Sequence, residues 1–184
     1  MTATSAPFGL KPLRHISGQA KAVRGTIASG ASAMYKHQPV KYAADGSVAP
    51  AAAGDAFLGS FEGCEFTSGG KRFVQNFWPG GTVASDAIAY FYADPGVVYA
   101  IQADGTVDQA EIGSHGDFTN ITNGNATTGV SAATITATPV TSGTAQLQVL
   151  GIVQTEDNAW GDAYTVVEVM IAEHQLGGTK STAF

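Results

Sequence analysis

Four histidines, one cysteine and fifteen Asp and Glu residues are the side chains of this sequence with the means for acid–base, nucleophilic or metal chemistry. His15, His37, His115 and His174 lie far apart, and no two stand at the i, i+4 spacing that places paired ligands on one helix face. A packed or solvated histidine is the expectation at each. Cys64 sits between Gly63 and Glu65, without a cationic neighbour to lower its pKa, and reads as an inert thiol. Gly69-Gly70-Lys71-Arg72 imitates the end of a phosphate loop, but Glu65 stands where the first glycine belongs and Arg72 where the hydroxyl residue belongs. Asp104, Asp108 and Glu111 could bring three carboxylates around a hard cation. Their spacing fits no calcium-loop pattern, and a solvated acidic turn is the plainer reading. The sequons at Asn120 and Asn125 arise readily in a Thr-rich stretch. With no catalytic set, no metal site and no cofactor site, the chain is expected not to be an enzyme.

Composition bounds the elements that would have to position any site. At 184 residues one domain is expected, with a core that needs neither metal nor disulfide. One cysteine excludes an intrachain disulfide framework and suits a reducing compartment. No apolar run among the first 20 residues resembles a secretory signal, and no stretch approaches the roughly 18 to 20 apolar residues of a membrane span, so a soluble protein is expected. Charged residues make up 13%, about half the roughly 25% usual in soluble domains. A surface of Ala, Gly, Ser, Thr and Gln loses little on desolvation, which suits lasting contact with another protein.

Charge is segregated along the chain. Lys11, Arg14, Lys21, Arg24, Lys36 and Lys41 precede the first acid, Asp45, so residues 1–44 carry +6 and the remainder, with 3 cations against 15 acids, carries -12. Such a basic segment is expected to meet an acidic surface on its own body, on a neighbouring copy or on a partner. Nucleic acid is not the expected partner. The acidic body would repel phosphate, and the basic residues lack aromatic interleaving.

Residues 1–19 hold Pro7, Gly9, Pro12 and Gly18 and show no period, which predicts an extended N-terminal arm. Residues 20–184 predict a single all-β domain, an antiparallel β-sandwich or barrel, the jelly roll being one such form. Strand patterns cover 20–28, 38–42, 57–62, 72–77, 87–92, 97–102, 130–138, 145–154 and 164–173, the last two forming the best core. Helical periodicity is nearly absent. Asp45-Gly46 and Asp104-Gly105 each predict a tight hairpin turn, and Asp94-Pro95-Gly96 a further connection. Residues 114–129 predict a long polar surface loop.

A family resemblance rests on several of these pieces. They are Ala6-Pro7-Phe8-Gly9-Leu10-Lys11-Pro12, the turn Asn76-Phe77-Trp78-Pro79-Gly80-Gly81-Thr82-Val83, the Asp94-Pro95 step, and Glu156-Asp157-Asn158-Ala159-Trp160-Gly161 followed by residues 166–174. Together they resemble head structural proteins of tailed bacteriophages, above all the small capsid decoration, or cement, proteins. The resemblance implies a non-enzymatic virion protein that is assembled in the host cytoplasm and coats the outer surface of the capsid. There it would bridge major capsid protein subunits as a homo-oligomer, a homotrimer ahead of a dimer. The family offers no ligand or catalytic residues to carry over. Charge and position suggest that the arm grips a neighbouring subunit, with Phe8, Leu10 and Leu13 as apolar anchors and Lys11 and Arg14 fixing orientation. A receptor- or glycan-binding module of a tail or spike is the alternative, with Trp78, Tyr90, Tyr92 and Tyr99 as its aromatic platform.

Overall fold

The structure is a computed structural model and describes residues 4–139 and 145–177. Its strands are β1 (Lys11–His15), β2 (Ala22–Thr26), β3 (Pro39–Tyr42), β4 (Val48–Pro50), β5 (Gly59–Ser68), β6 (Lys71–Gln75), β7 (Ile88–Tyr92) and β8 (Val97–Gln102). After a 3-10 turn at Gln109–Glu111 come β9 (His115–Gly116), β10 (Phe118–Thr119), β11 (Gly124–Asn125), β12 (Val130–Ser131), β13 (Thr134–Ile135), β14 (Leu147–Ile152) and β15 (Val166–Ile171). The fold is all-β, antiparallel and sandwich-like.

One sheet has the order β1-β8-β15-β14-β9; the other has the order β2-β7-β5-β3-β4, with β6 also paired to β5. Chain order explains this division. β2 to β7 stay in one sheet, and the chain crosses to the other at Asp94-Pro95-Gly96, where the Val97 N–H donates to the Asp94 carbonyl at 3.2 Å. Each sheet has its own apolar cluster. Phe57, Tyr99, Ile101, Leu147, Val167 and Val169 belong to one, and Val40, Leu58, Phe61, Phe66, Trp78 and Phe91 to the other.

Strands with alternating or continuous apolar residues form where the pattern says they should. β8 is buried along its whole length between β1 and β15. β15 lies between β8 and β14, with Val167, Val169 and Ile171 buried and Val166, Glu168 and Met170 half-buried on the opposite face. Asp45-Gly46 makes its predicted turn between β3 and β4: Gly46 has a φ of 79°, and the Ala43 N–H donates to the Ser47 carbonyl at 2.8 Å.

Three expectations need correction. Residues 4–15 do not stand off as an arm. β1 pairs antiparallel with β8, and Leu10 is wholly buried in the core cluster of that sheet, because β8 would otherwise leave one row of backbone groups unpaired. Residues 114–129 are not a polar surface loop throughout, since Phe118 and Ile121 are buried and the Phe118 ring packs edge-on against Phe57 at 5.2 Å. Asp104-Gly105 is no hairpin turn. The Asp104 N–H donates to the Ile135 carbonyl at 2.9 Å, and its side chain accepts the Ala137 N–H at 2.7 Å, which draws the chain toward β13.

Candidate functional site

The five residues singled out for partner contact divide by what already holds them. Phe8 is half-buried, and its carbonyl accepts a hydrogen bond from His37 Nδ1 at 3.1 Å. Leu10 donates its N–H to the His37 carbonyl at 2.7 Å and contributes its side chain to the core, so it cannot anchor a neighbour in the folded chain. Arg14 Nη1 meets Glu168 Oε2 of β15 at 2.8 Å. Leu13 remains 41% exposed, and Lys11 has no carboxylate partner among the described residues. Ile16, which the sequence reading passed over, is 70% exposed just beyond the end of β1. Of the five, Lys11 and Leu13 lie open on the β1 edge, beside Ile16, while Arg14 is committed to Glu168.

Backbone geometry fixes this edge. Gly9 has a φ of 76°, and a Cβ there would come within 2.5 Å of the His37 carbonyl, so only glycine lets the chain pass from Phe8 into the buried Leu10. Two polar anchors hold the segment before it. The Ala6 N–H donates to Gln102 Oε1 at 2.9 Å, and Gln102 Nε2 donates to the Thr4 carbonyl at 3.2 Å.

No group of three or more His, Cys, Asp or Glu among the described residues could hold a metal ion. Asp104 is engaged by the Ala137 N–H, and Asp108 precedes the 3-10 turn. Cys64 is buried, and burial pushes its pKa up to about 12, as an inert thiol requires. His37 and His174 both have their pKa lowered, in each case chiefly by burial. At His37 the nearby Glu62 opposes that shift without cancelling it.

Folding does bring one chemically suggestive set together. Ser17 Oγ lies 2.6 Å from His15 Nδ1, and His15 Nε2 lies 2.9 Å from Asp94 Oδ1. The Ser17 backbone N–H also donates to that Nδ1 at 3.1 Å, so Nδ1 is the acceptor nitrogen and Nε2 carries the proton toward Asp94. Sequence could not pair His15 with Asp94, 79 positions away. The order of groups is that of an acyl-transfer triad, but the Nδ1 lone pair is shared with the backbone of its own turn. Nor do these residues line the hollow bounded by Glu62, Cys64, Val74 and Tyr90 or the one bounded by Ala28, Ala43, Ser47 and Pro50. The cluster closes the turn after β1 onto the crossing between sheets, where Asp94 also accepts the Gly96 N–H at 2.8 Å and has its pKa lowered by that bond first and by His15 second.

The proposed aromatic platform is not assembled. Trp78 and Tyr99 are wholly buried, and Trp78 donates its indole N–H to the Ala31 carbonyl at 3.2 Å; only Tyr90 and Tyr92 reach the surface. Among the described residues no helix is long and apolar enough to cross a membrane. Comparison with models of known protein families, with curated proteins and with solved structures returned no match to this chain.

Proposed function

We propose that this chain is a structural protein of a tailed-phage head, a non-enzymatic decoration protein that lies on the outer capsid surface and bridges major capsid subunits. The observation that supports this reading is the β1 edge, where Leu13 and Ile16 are left in solvent beside Lys11, which has no carboxylate partner among the described residues, while the rest of the segment is tied down. Apolar side chains on a rigid, hydrogen-bonded edge can dock without the entropic cost of ordering a free arm. The sparsely charged exterior, with 13% Asp, Glu, Lys and Arg, lowers the desolvation cost of a wide contact. The buried Trp78 and Tyr99 take away the main support for the glycan-binding alternative.

The experiment is binding to undecorated heads of a phage that encodes the chain, imaged and scored for occupancy. Deleting the whole N-terminal segment would remove Leu10 from the core, so the edge is tested by substitution. The doubly substituted Leu13→Asp, Ile16→Asp protein leaves the core intact and should melt like the wild type. Its affinity for heads should fall about tenfold or more, because burying one such side chain is worth roughly 1.5–3 kcal/mol. Failure of the wild-type protein to bind heads overturns the reading.

A further inference from the structure

We propose that β6 is the seam along which two copies of this chain pair, antiparallel and about a two-fold axis, with each Phe73 facing the partner's Phe73. The argument starts with the turn before it. Gly69 and Gly70 have φ values of 57° and 75°, the pattern of a two-residue type I′ turn, in which the flanking Ser68 and Lys71 exchange hydrogen bonds. Hydrogen-bonded and non-hydrogen-bonded pairs then alternate up the β5–β6 ladder. Lys71, Phe73 and Gln75 direct their backbone groups toward β5, while Arg72 and Val74 direct theirs outward. The neighbouring strand agrees with this alternation, because the Thr67 N–H, opposite Arg72, goes instead to Asp86 Oδ1 at 3.0 Å on the other side of β5.

Among the described residues no strand covers the outer edge of β6. Val74 is 75% exposed and Phe73 39%. Edges of this kind recruit another strand unless something blocks them, and the other edges of the two sheets are blocked or poorly suited. β1 carries Pro12 and an irregular register between Pro12 and Arg14. β4 has three residues and ends in Pro50, and β9 has two residues. Full overlap of β2 with its own copy sets Arg24 against Arg24, a like-charge pair. Full overlap of β6 with its copy centres on Phe73. Arg72 then falls opposite the partner's Val74, and Lys71 opposite the partner's Gln75, so no like charges meet.

The same register satisfies the backbone. Arg72 and the partner's Val74 form a hydrogen-bonded pair on each side of the axis, so the two outward N–H groups and two outward carbonyls of each chain are all used. Phe73 and the partner's Phe73 form the central non-hydrogen-bonded pair, with Cα atoms about 4.5 Å apart. Packing supports this arrangement. Phe73 stacks on Phe66 with centroids 5.3 Å apart, and Phe66 packs edge-on to the buried Trp78 at 4.9 Å, so the apolar row of that sheet now ends at an open Phe73. Pairing would carry the row across the axis. Arg72, which would otherwise guard the edge, is held by Glu65 at 2.6 Å, and Lys71 lies at the turn.

Sedimentation equilibrium of the purified chain should give twice its 18.8 kDa mass. Val74→Pro deletes an N–H that points away from β5 and keeps strand-compatible φ, so it should leave the circular dichroism unchanged and return the mass to that of one chain. Val83→Asp, which removes an apolar side chain 78% exposed elsewhere, should keep the dimer. Should Val74→Pro misfold, Phe73→Cys decides: under a mild oxidant such as copper phenanthroline it should form a covalent dimer, whereas the buried Cys64 should not. A single-chain or three-chain mass for the wild type, a dimer that survives Val74→Pro in folded protein, or no crosslink at Phe73→Cys overturns the proposal.

Discussion

Carboxylates in this chain mainly hold loops. Asp45 accepts the Ser47 N–H, Asp86 the Thr67 N–H, Asp117 the Gln146 N–H and Asp162 the Ala159 N–H, each at 2.9 to 3.1 Å. At Asp45 and Asp86 the side chains of Ser47 and Thr67 first, and their N–H groups second, hold the carboxyl below its usual range. The half-buried His37 and the buried His174 act in the opposite sense. His174 Nδ1 accepts the N–H groups of Leu176 and Gly177 at 3.1 and 2.9 Å and must stay unprotonated to do so. With folded-state values below 6.5 at His37 and His174, the unfolded chain binds more protons than the folded one once pH falls under 6.5. Their contribution to stability is therefore complete above pH 6.5 and is lost as pH falls from there through the folded-state values. Thermal melts should show a Tm that declines over this range before the carboxylates titrate. His174→Asn, whose side-chain oxygen can still accept the two N–H groups, should flatten the decline, and an unchanged slope would remove His174 from the account.

At the scale of elements, the β14–β15 hairpin is closed by one side chain. Asn158 Nδ2 donates to the carbonyls of Val153 and Val166, each at 2.8 Å, and its Oδ1 accepts the Val166 N–H at 2.9 Å. Asn158→Ala strands these groups at the end of a core hairpin and should cost about 1–3 kcal/mol, read as a lower urea midpoint at unchanged m. Asp157, Asn158 and Gly161 are turn formers by type, but the three-bond brace is not legible in them, because it depends on where Val153 and Val166 end up. Strand patterns were legible wherever the segment itself was apolar: β8 occupies the predicted 97–102, and β7, β14 and β15 lie inside their predicted spans. β1 escaped notice because Pro12 reads as part of an irregular arm, yet edge positions tolerate proline. Phe118 and Ile121 were hidden by the polar residues around them.

At the scale of the molecule, the charge segregation is largely closed within the chain. Arg14 meets Glu168, Arg24 and Arg72 meet Glu65, Lys36 meets Glu62 and Lys41 meets Asp55, so the basic first quarter spreads over acids from both sheets. Arg14, Arg24 and Arg72 are well open to water and both partners of the two lysine pairs are partly so, and water and salt screen such pairs. Leu10 and the β1–β8 ladder, not charge, hold the N-terminal segment. Raising salt from about 0.05 M to 1 M should accordingly lower Tm by less than ~5 °C. A much larger fall would mean that ion pairs carry the docking of β1.

Composition and periodicity by themselves determined an all-β antiparallel chain, its central strands, its sparsely charged surface and the opposition of a basic start to an acidic body, because these depend on residue type and local spacing. Only the tertiary structure decided that β1 belongs to the body, that Leu10 is core while Leu13 and Ile16 face solvent, that Ser17, His15 and Asp94 meet, and that β6 is an open edge. Each of these depends on which strand lies beside which. Hydrogen-bond pairing between segments as much as 154 residues apart, as at Arg14 and Glu168, leaves no periodic trace in the sequence that makes it.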